Sequence, residues 1–458
     1  MKESIISEKL SRYDLEKISS LHDFNQRKDA KITLLNFLGG FFLSLTFGHS
    51  LREWALQISG LLSAGLKVTK AGLQKRFGVN QLASVKAFLQ EVMSSRLRRL
   101  EGQSVSYGWF SSFGKVLLED SVCVSLNAKL FKFFPGSYSK KGKASTARIQ
   151  LCLNLKGLIY ERFALQSYRD NDQKYSPKIL SLLQAGDLVI RDLGYMIVKV
   201  LKDISNLGAF FLSRYKPGVN LYDASSGDEF DLAERLTHIS DRGDKYLDIN
   251  VILGTKEQVP MRLVALKCPE EIAQQRIRKA RKERNKKANH SKKYYQLLQW
   301  SIFLTNVPSE TWKAEEVIQV YGFRWHIEMV FKVWKSKFGL QRLMTQNQIK
   351  KIIHAQIFFY LFLAYLTIFY LGFYTLFFDK VYQCHRKFLS LFKFADFLKN
   401  HFIDLIEAQM KGQQKAFVDL LGMHCCYEKR KKRKNQFETL LRFAHSPEVV
   451  KHQSILQP

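Results

Sequence analysis

The run from Ala355 to Phe378, "AQIFFYLFLAYLTIFYLGFYTLFF", carries no charged side chain over 24 residues. A helix that is apolar on every side must be hidden from water, so this stretch has two homes: the interior of a large protein or a lipid bilayer. It contains Gln356, Thr367, Gly372 and Thr375, and it stands alone in a 458-residue chain. The expectation is a buried core helix, or two helices joined near Gly372, in a helical C-terminal region over 346–458. No membrane partner is expected. With 46% hydrophobic residues, a chain of this length can build the core that such a helix needs.

The rest of the chain is strongly basic. Lys and Arg number 72 against 41 acidic residues, a formal charge of 72 − 41 = +31. That excess implies a polyanionic partner, and nucleic acid fits best because the basic residues recur through the whole chain. The densest block, "RIRKARKERNKKANHSKK" at 276–293, sets ten Lys or Arg against Glu283 alone. It reads as a phosphate-binding arm, with a solvated arm as the alternative. The six cysteines, Cys123, Cys152, Cys268, Cys384, Cys425 and Cys426, form no CxxC pair and read as reduced thiols of a cytoplasmic protein. Adjacent Cys425 and Cys426 lack zinc-ligand spacing. The opening "MKESIISEKLSRYDLEK" has no apolar core for a secretory signal.

Periodicity divides the chain. Residues 1–105 repeat at helical spacing, and "VTKAGLQKRFGVNQLASVKAFLQEVM" offers Thr69 as an N-cap, a turn near Gly78 and Val79, and a second helix. That outline is loosely helix-turn-helix and marks a candidate DNA-binding domain. From Val116 the period becomes two: "VLLEDSVCVSL", "ARIQLCLNL" and "LIYERFALQ" read as three strands, the last two turning at Lys156 and Gly157. A short helix at "SPKILSLLQAG", a strand "DLVIRD", a helix over Met196–Ser205 and a strand "AFFLSRY" follow. This is an α/β plan in which the strand ending at Asp192 can lie beside the one holding Asp120. A carboxylate among core residues is costly unless it is paired, protonated or bound to metal, so two of them in one sheet mark a candidate site. Residues 217–297 read as a β-rich insertion, and "WSIFLTNVP" as a further strand.

In "YGFRWHIEMVFKVWKSKFGLQR", residues 321–342, helical geometry sets Tyr321, Arg324, Glu328 and Lys335 within an arc of about 60°. Phe323, Ile327, Val330, Phe331, Trp334 and Phe338 take the opposite face, as in a helix buried along one side. Taken alone, the polar stripe reads first as a solvated face with an Arg324–Glu328 ion pair.

These residues carry a resemblance. Tyr321, Arg324, Glu328 and Lys335 reproduce the Tyr-x2-Arg-x3-Glu-x6-Lys signature of a group of bacterial insertion-sequence transposases, the family-four group of the DDE class. "DSV" at Asp120, "DLGY" at Asp192 and "WSIFLTNVP" join it, so the likeness covers about 110–345; Val122 stands where many relatives have Thr. The resemblance implies an RNase H-like core in two parts, 106–216 and 298–345, with the β-rich insertion domain at 217–297. Helical regions at 1–105 and 346–458 flank it. The spacings leave room for the insertion: 192 − 120 = 72 residues between the first two acids and 328 − 192 = 136 between the last two.

The resemblance makes Asp120, Asp192 and Glu328 the catalytic acids and metal ligands. Carboxylates are hard oxygen donors suited to Mg²⁺, with Mn²⁺ able to substitute, and paired ions serve in-line phosphodiester displacement. Arg324 and Lys335 would hold phosphate near the scissile bond and Tyr321 would add a hydrogen bond. Trp300 is a candidate to receive a base turned out of the duplex, or else a core residue. Arg214 and Lys216 are candidates for backbone contact. The implied partners are double-stranded DNA, as terminal repeats and target, and a second copy of the chain in a homodimer. A non-catalytic DNA-binding protein derived from a transposase, and a nuclease with the same metal core, are the competing readings.

Overall fold

A computed structural model of the chain describes residues 2–25, 30–47, 50–62, 66–100, 108–139, 142–282, 290–347 and 349–428. The central part of the basic arm, 283–289, and the last thirty positions of the C-terminal region, 429–458, lie outside the described residues.

Among the described residues, the chain opens with helices α1 (Lys2–Leu10), α2 (Leu15–Leu21), α3 (Leu34–Phe47), α4 (Leu51–Leu61), α5 (Lys70–Gln74) and α6 (Val79–Leu100). The expected cap is present, since Thr69 Oγ1 accepts from the Gly72 amide at 3.0 Å and starts α5. The other half of the helix-turn-helix outline, α6, buries Val85, Phe88, Leu89 and Val92 in the main core.

Among the described residues, ten strands form one mixed sheet: β1 (Val116–Ser125), β2 (Pro135–Ser139), β3 (Gly142–Asn154), β4 (Ile159–Ser167), β5 (Leu188–Arg191), β6 (Phe210–Arg214), β7 (Leu221–Asp223), β8 (Tyr246–Leu253), β9 (Val259–Lys267) and β10 (Trp300–Thr305). The spatial order is β2-β3-β1-β5-β6-β10-β9-β8-β7, with β4 also on β3. The three expected strands are β1, β3 and β4, and the β3–β4 turn puts Gly157 at φ 82°, where glycine meets no Cβ strain. β1, β5 and β6 pair in parallel, so the strand leading to Asp192 does lie beside that of Asp120.

Strands from 217–297 extend this sheet, because β9 pairs antiparallel with β10. β9 buries Leu263 and Ala265 in one core and Val264 in the other, so it requires cover on both faces. Helices share the segment with the strands: α7 (Asp172–Tyr175) and α8 (Val198–Asn206) precede it, and α9 (Leu232–Asp241), α10 (Glu270–Arg281) and α11 (Lys292–Leu297) lie within it.

The period of two sorts the sheet into faces. Leu118, Ile190, Leu212 and Phe303 join the large helical core; Leu117, Val189, Phe211 and Leu304 join a second core with Val200, Leu201 and Ile204 of α8. The helical core includes α12 (Ala314–Gly322), α13 (Trp325–Ser336), α14 (Leu340–Met344), α15 (Ile352–Tyr365), α16 (Leu371–His385), α17 (Leu391–Asn400), α18 (Phe402–Met410) and α19 (Lys415–His424).

The apolar run is buried between these elements. α15 and α16 are joined by a π-helical turn at Leu366–Tyr370, just before Gly372, and together span 34 residues. Among the described residues this is the one helix long and apolar enough to cross a membrane, and 78% of its most apolar window is buried. Polar side chains meet it from within: Thr46 Oγ1 lies 3.0 Å from the Tyr365 hydroxyl, and Arg96 Nη2 donates to Leu371 O at 3.2 Å beside the π turn. A π turn frees backbone carbonyls that side chains such as Arg96 can satisfy.

Candidate active site

Asp120 lies two residues after Leu118 on β1, and Asp192 two residues after Ile190, immediately past the end of β5. Both therefore face the helical core. α13 crosses that face and buries Ile327, Val330, Phe331 and Trp334, whose indole N–H donates to the Tyr160 hydroxyl of β4 at 3.2 Å. That apolar contact fixes Arg324 and Glu328 over the middle of β1 and the end of β5.

The sequence reading expects one continuous helix through Tyr321–Lys335, but the structure breaks it. α12 ends at Gly322 and α13 starts at Trp325. Between them the Phe323, Arg324 and Ile327 amides bond to carbonyls three residues back. Across this tighter turn Tyr321 stays beside the guanidinium, which lies 5.8 Å from its ring centroid, and the same ring packs on Phe303 at 5.0 Å between centroids.

One guanidinium gathers the three acids. Arg324 Nη1 donates to Asp120 Oδ2 at 3.0 Å, Nη2 donates to Glu328 Oε1, and Nε stands 3.9 Å from Asp192 Oδ1. Asp120 Oδ1 also accepts from the Ser121 amide at 2.7 Å. Burial pushes the Asp120 carboxyl up to about 6, against the pull of the Ser121 amide and Arg324; Asp192 and Glu328 add to the rise. Of the buried donors without acceptors among the described residues, two belong to this cluster, the Arg324 Nε and the Tyr321 hydroxyl. Burial also raises the Tyr321 phenol, keeping it protonated and able to donate.

Among the described residues, no three His, Cys, Asp or Glu side chains are spaced to hold a metal ion. At this site the acids close on a guanidinium. Their donor chemistry nevertheless suits a hard divalent cation, since three carboxylates carry more negative charge than one Arg offsets.

The other candidates sort by position. Arg214, paired with Phe303 across β6 and β10, lies on the acids' face, and its charge lowers the Tyr321 phenol. Lys335 is exposed in the last turn of α13, about two turns beyond Glu328, and Lys216 is exposed two residues past the end of β6. Trp300 is 4% exposed and packs in the second core with Leu117 and Ile302, on the face away from the acids. In the basic arm, Arg276 bonds the Trp300 carbonyl at 2.9 Å and Lys293 bonds Asp231 at 2.5 Å, so both ends are engaged within the chain.

Behind the acids stands a pair that sequence reasoning missed. Glu119 and Arg191, each one residue before an acid, sit opposite one another on β1 and β5 and meet at 2.7 Å with 1% exposure apiece. Burial raises the Glu119 carboxyl, and Arg191 opposes that rise. The signal was available: "LLED" and "VIRD" each place a second charged residue inside an apolar strand.

A family model described as "Transposase DDE domain" matches residues 112–366, which include all three acids. The transposase of insertion sequence element IS231F from Bacillus thuringiensis subsp. israelensis is 30% identical over 307 residues, 62% of each chain. The IS231C transposase of Bacillus thuringiensis subsp. berliner is 25% identical over 396 residues, 82% of this chain and 80% of that one. That of IS1151 from Clostridium perfringens is 26% identical over 371 residues, 76% of this chain and 74% of its own. With the family model covering more than half of its length and these relatives extending the match, the chain belongs to the DDE-domain family of insertion-sequence transposases.

Proposed function

We propose that this protein is a DNA transposase that cleaves phosphodiester bonds at the ends of its element and joins them to target DNA with the aid of Mg²⁺. The observation that carries this reading is the convergence of Asp120, Asp192 and Glu328, from two strands and a helix, on one cation beside two unpaired buried donors. The sheet around β1, β5 and β6, with α13 on it, is read as an RNase H-like core; 217–297 is its insertion, and 1–105 a DNA-binding region.

Asp120, Asp192 and Glu328 would hold Mg²⁺, or Mn²⁺ in its place, and the bound cation supplies Lewis-acid activation of an attacking hydroxyl and stabilises the leaving oxygen. With a cation on the carboxylates, the Arg324 fork would be available to a phosphate, whose oxygens would serve as acceptors for its Nε and for the Tyr321 hydroxyl. Lys335 and Arg214 add positive charge along the flanking backbone. The net charge of +31 favours capture of duplex DNA, and two copies of the chain would pair the two ends. The working compartment is the cytoplasm.

The test is incubation of purified protein with Mg²⁺ and DNA carrying the element's own ends. A transposase yields end-specific breaks and products joined to target DNA. Breaks without joining favour a nuclease, and retarded but intact DNA favours a binding protein.

A further inference from the structure

The Glu119–Arg191 pair occupies the sheet face opposite the acids. Arg191 Nε donates to Glu119 Oε2 at 2.8 Å, and Nη2 reaches that oxygen at 2.7 Å and the Ser176 carbonyl at 2.8 Å. The guanidinium also lies 5.2 Å from the centroid of the Tyr195 ring. The Tyr195 hydroxyl donates to Gln150, Gln150 Nε2 to Asp172 at 3.1 Å, and Arg148 Nη1 to Asp172 at 3.1 Å and to Ser121 Oγ at 2.9 Å. Asp120 is thus flanked by two residues, Glu119 and Ser121, tied into one network. The turn after Asp192 passes close to the same network, since a Cβ on Gly194 would meet Asp172 Oδ2 at 3.1 Å.

Stability alone does not account for this arrangement. Removing two charges from water costs several kcal/mol per ion, and well-packed apolar side chains of similar volume are commonly as stabilising or more so. A guanidinium fork adds geometry. It fixes how far β5 is shifted along β1, and a slip of one residue would turn every side chain of a strand to the other face. The carboxylates of Asp120 and Asp192 are one residue from that lock.

We propose that Glu119 and Arg191 are positioning residues that hold Asp120 and Asp192 at the separation needed to share a divalent cation, so that the buried pair sets metal affinity. This rests on the metal-site reading above. Groups that orient metal ligands from behind typically alter affinity by about 10- to 100-fold when removed.

The test is Mn²⁺ binding to the full chain without DNA, followed by electron paramagnetic resonance, alongside thermal melts. In Glu119→Leu/Arg191→Met the melting temperature should equal or exceed that of wild type while the Mn²⁺ dissociation constant rises about tenfold or more. A folded double variant that binds Mn²⁺ as wild type does would overturn the proposal. Should that variant not fold, Arg191→Lys keeps the charge but loses the fork, and it should bind Mn²⁺ more weakly by about threefold or more; unchanged binding there would overturn the proposal equally. Wild-type protein that binds no Mn²⁺ would instead contradict the metal site itself, and the proposal with it.

Discussion

Arg324 donates to Asp120 at 3.0 Å from one arm of a guanidinium whose other nitrogens face Glu328 and Asp192. One side chain thus supplies positive charge among three carboxylates that the proposed mechanism assigns to a divalent cation. Under that proposal the two cations would compete for the same oxygens.

Competition gives opposite signs for one substitution. Arg324→Ala should tighten Mn²⁺ binding in the absence of DNA, by about tenfold, because a unit charge a few ångströms from the ion is removed. The same change should slow end cleavage by roughly 10- to 150-fold, the value of a lost charge-assisted contact to phosphate. Titration with Mn²⁺ and single-turnover cleavage measure the two effects. Weaker Mn²⁺ binding by the variant would show that Arg324 supports the cation instead of standing in for it.

Asp120 gives a pH dependence. Its carboxyl rises from 3.8 to about 6 in the fold, so between these values the native state holds more protons than the unfolded chain. Stability therefore falls as pH rises from about 4 to 6, and above that the charged carboxylate costs about 3 kcal/mol. Metal-free Asp120→Asn should be more stable than wild type at pH 7.5 by up to that free energy and melt higher, and the difference should vanish near pH 4. Thermal melts across this range check it, and a variant that melts lower at pH 7.5 would refute the assignment.

Trp300 packs in the second core, facing away from the acids. Trp300→Ala should destabilise the fold by about 3 to 5 kcal/mol. Trp300→Phe should retain most of the packing and cleave DNA near the wild-type rate. If Trp300→Ala melts normally while cleavage is lost, the indole acts on DNA and not in the core.

Much of this arrangement is legible in the sequence. The alternation around Asp120 and Asp192 places both on one face, and Phe323, Ile327, Val330, Phe331, Trp334 and Phe338, the face expected to be apolar, are all buried. The uncharged run is recognisable as a core helix once the basic remainder is weighed. The Tyr321–Arg324 break is not legible, because bonds to carbonyls three residues back leave no mark on apolar spacing. Nor is the Glu119–Arg191 contact: periodicity assigns a face within a strand, but strands 72 residues apart in the chain acquire register only through pairing. Residues 217–297 look separable for the same reason, since the β9–β10 pairing joins them to the sheet.

Cleavage of end-bearing DNA in Mg²⁺ by wild type and by Asp120→Asn, Asp192→Asn and Glu328→Gln tests the central claim most directly, with DNA binding and melting recorded for each. The account predicts that all three variants fold and bind DNA but fail to cut it, because the cation's ligands are lost while the basic surface is kept. Cleavage at the wild-type rate by any one of them would remove that residue from the site, and by all three would contradict the assignment of this cluster as the active site.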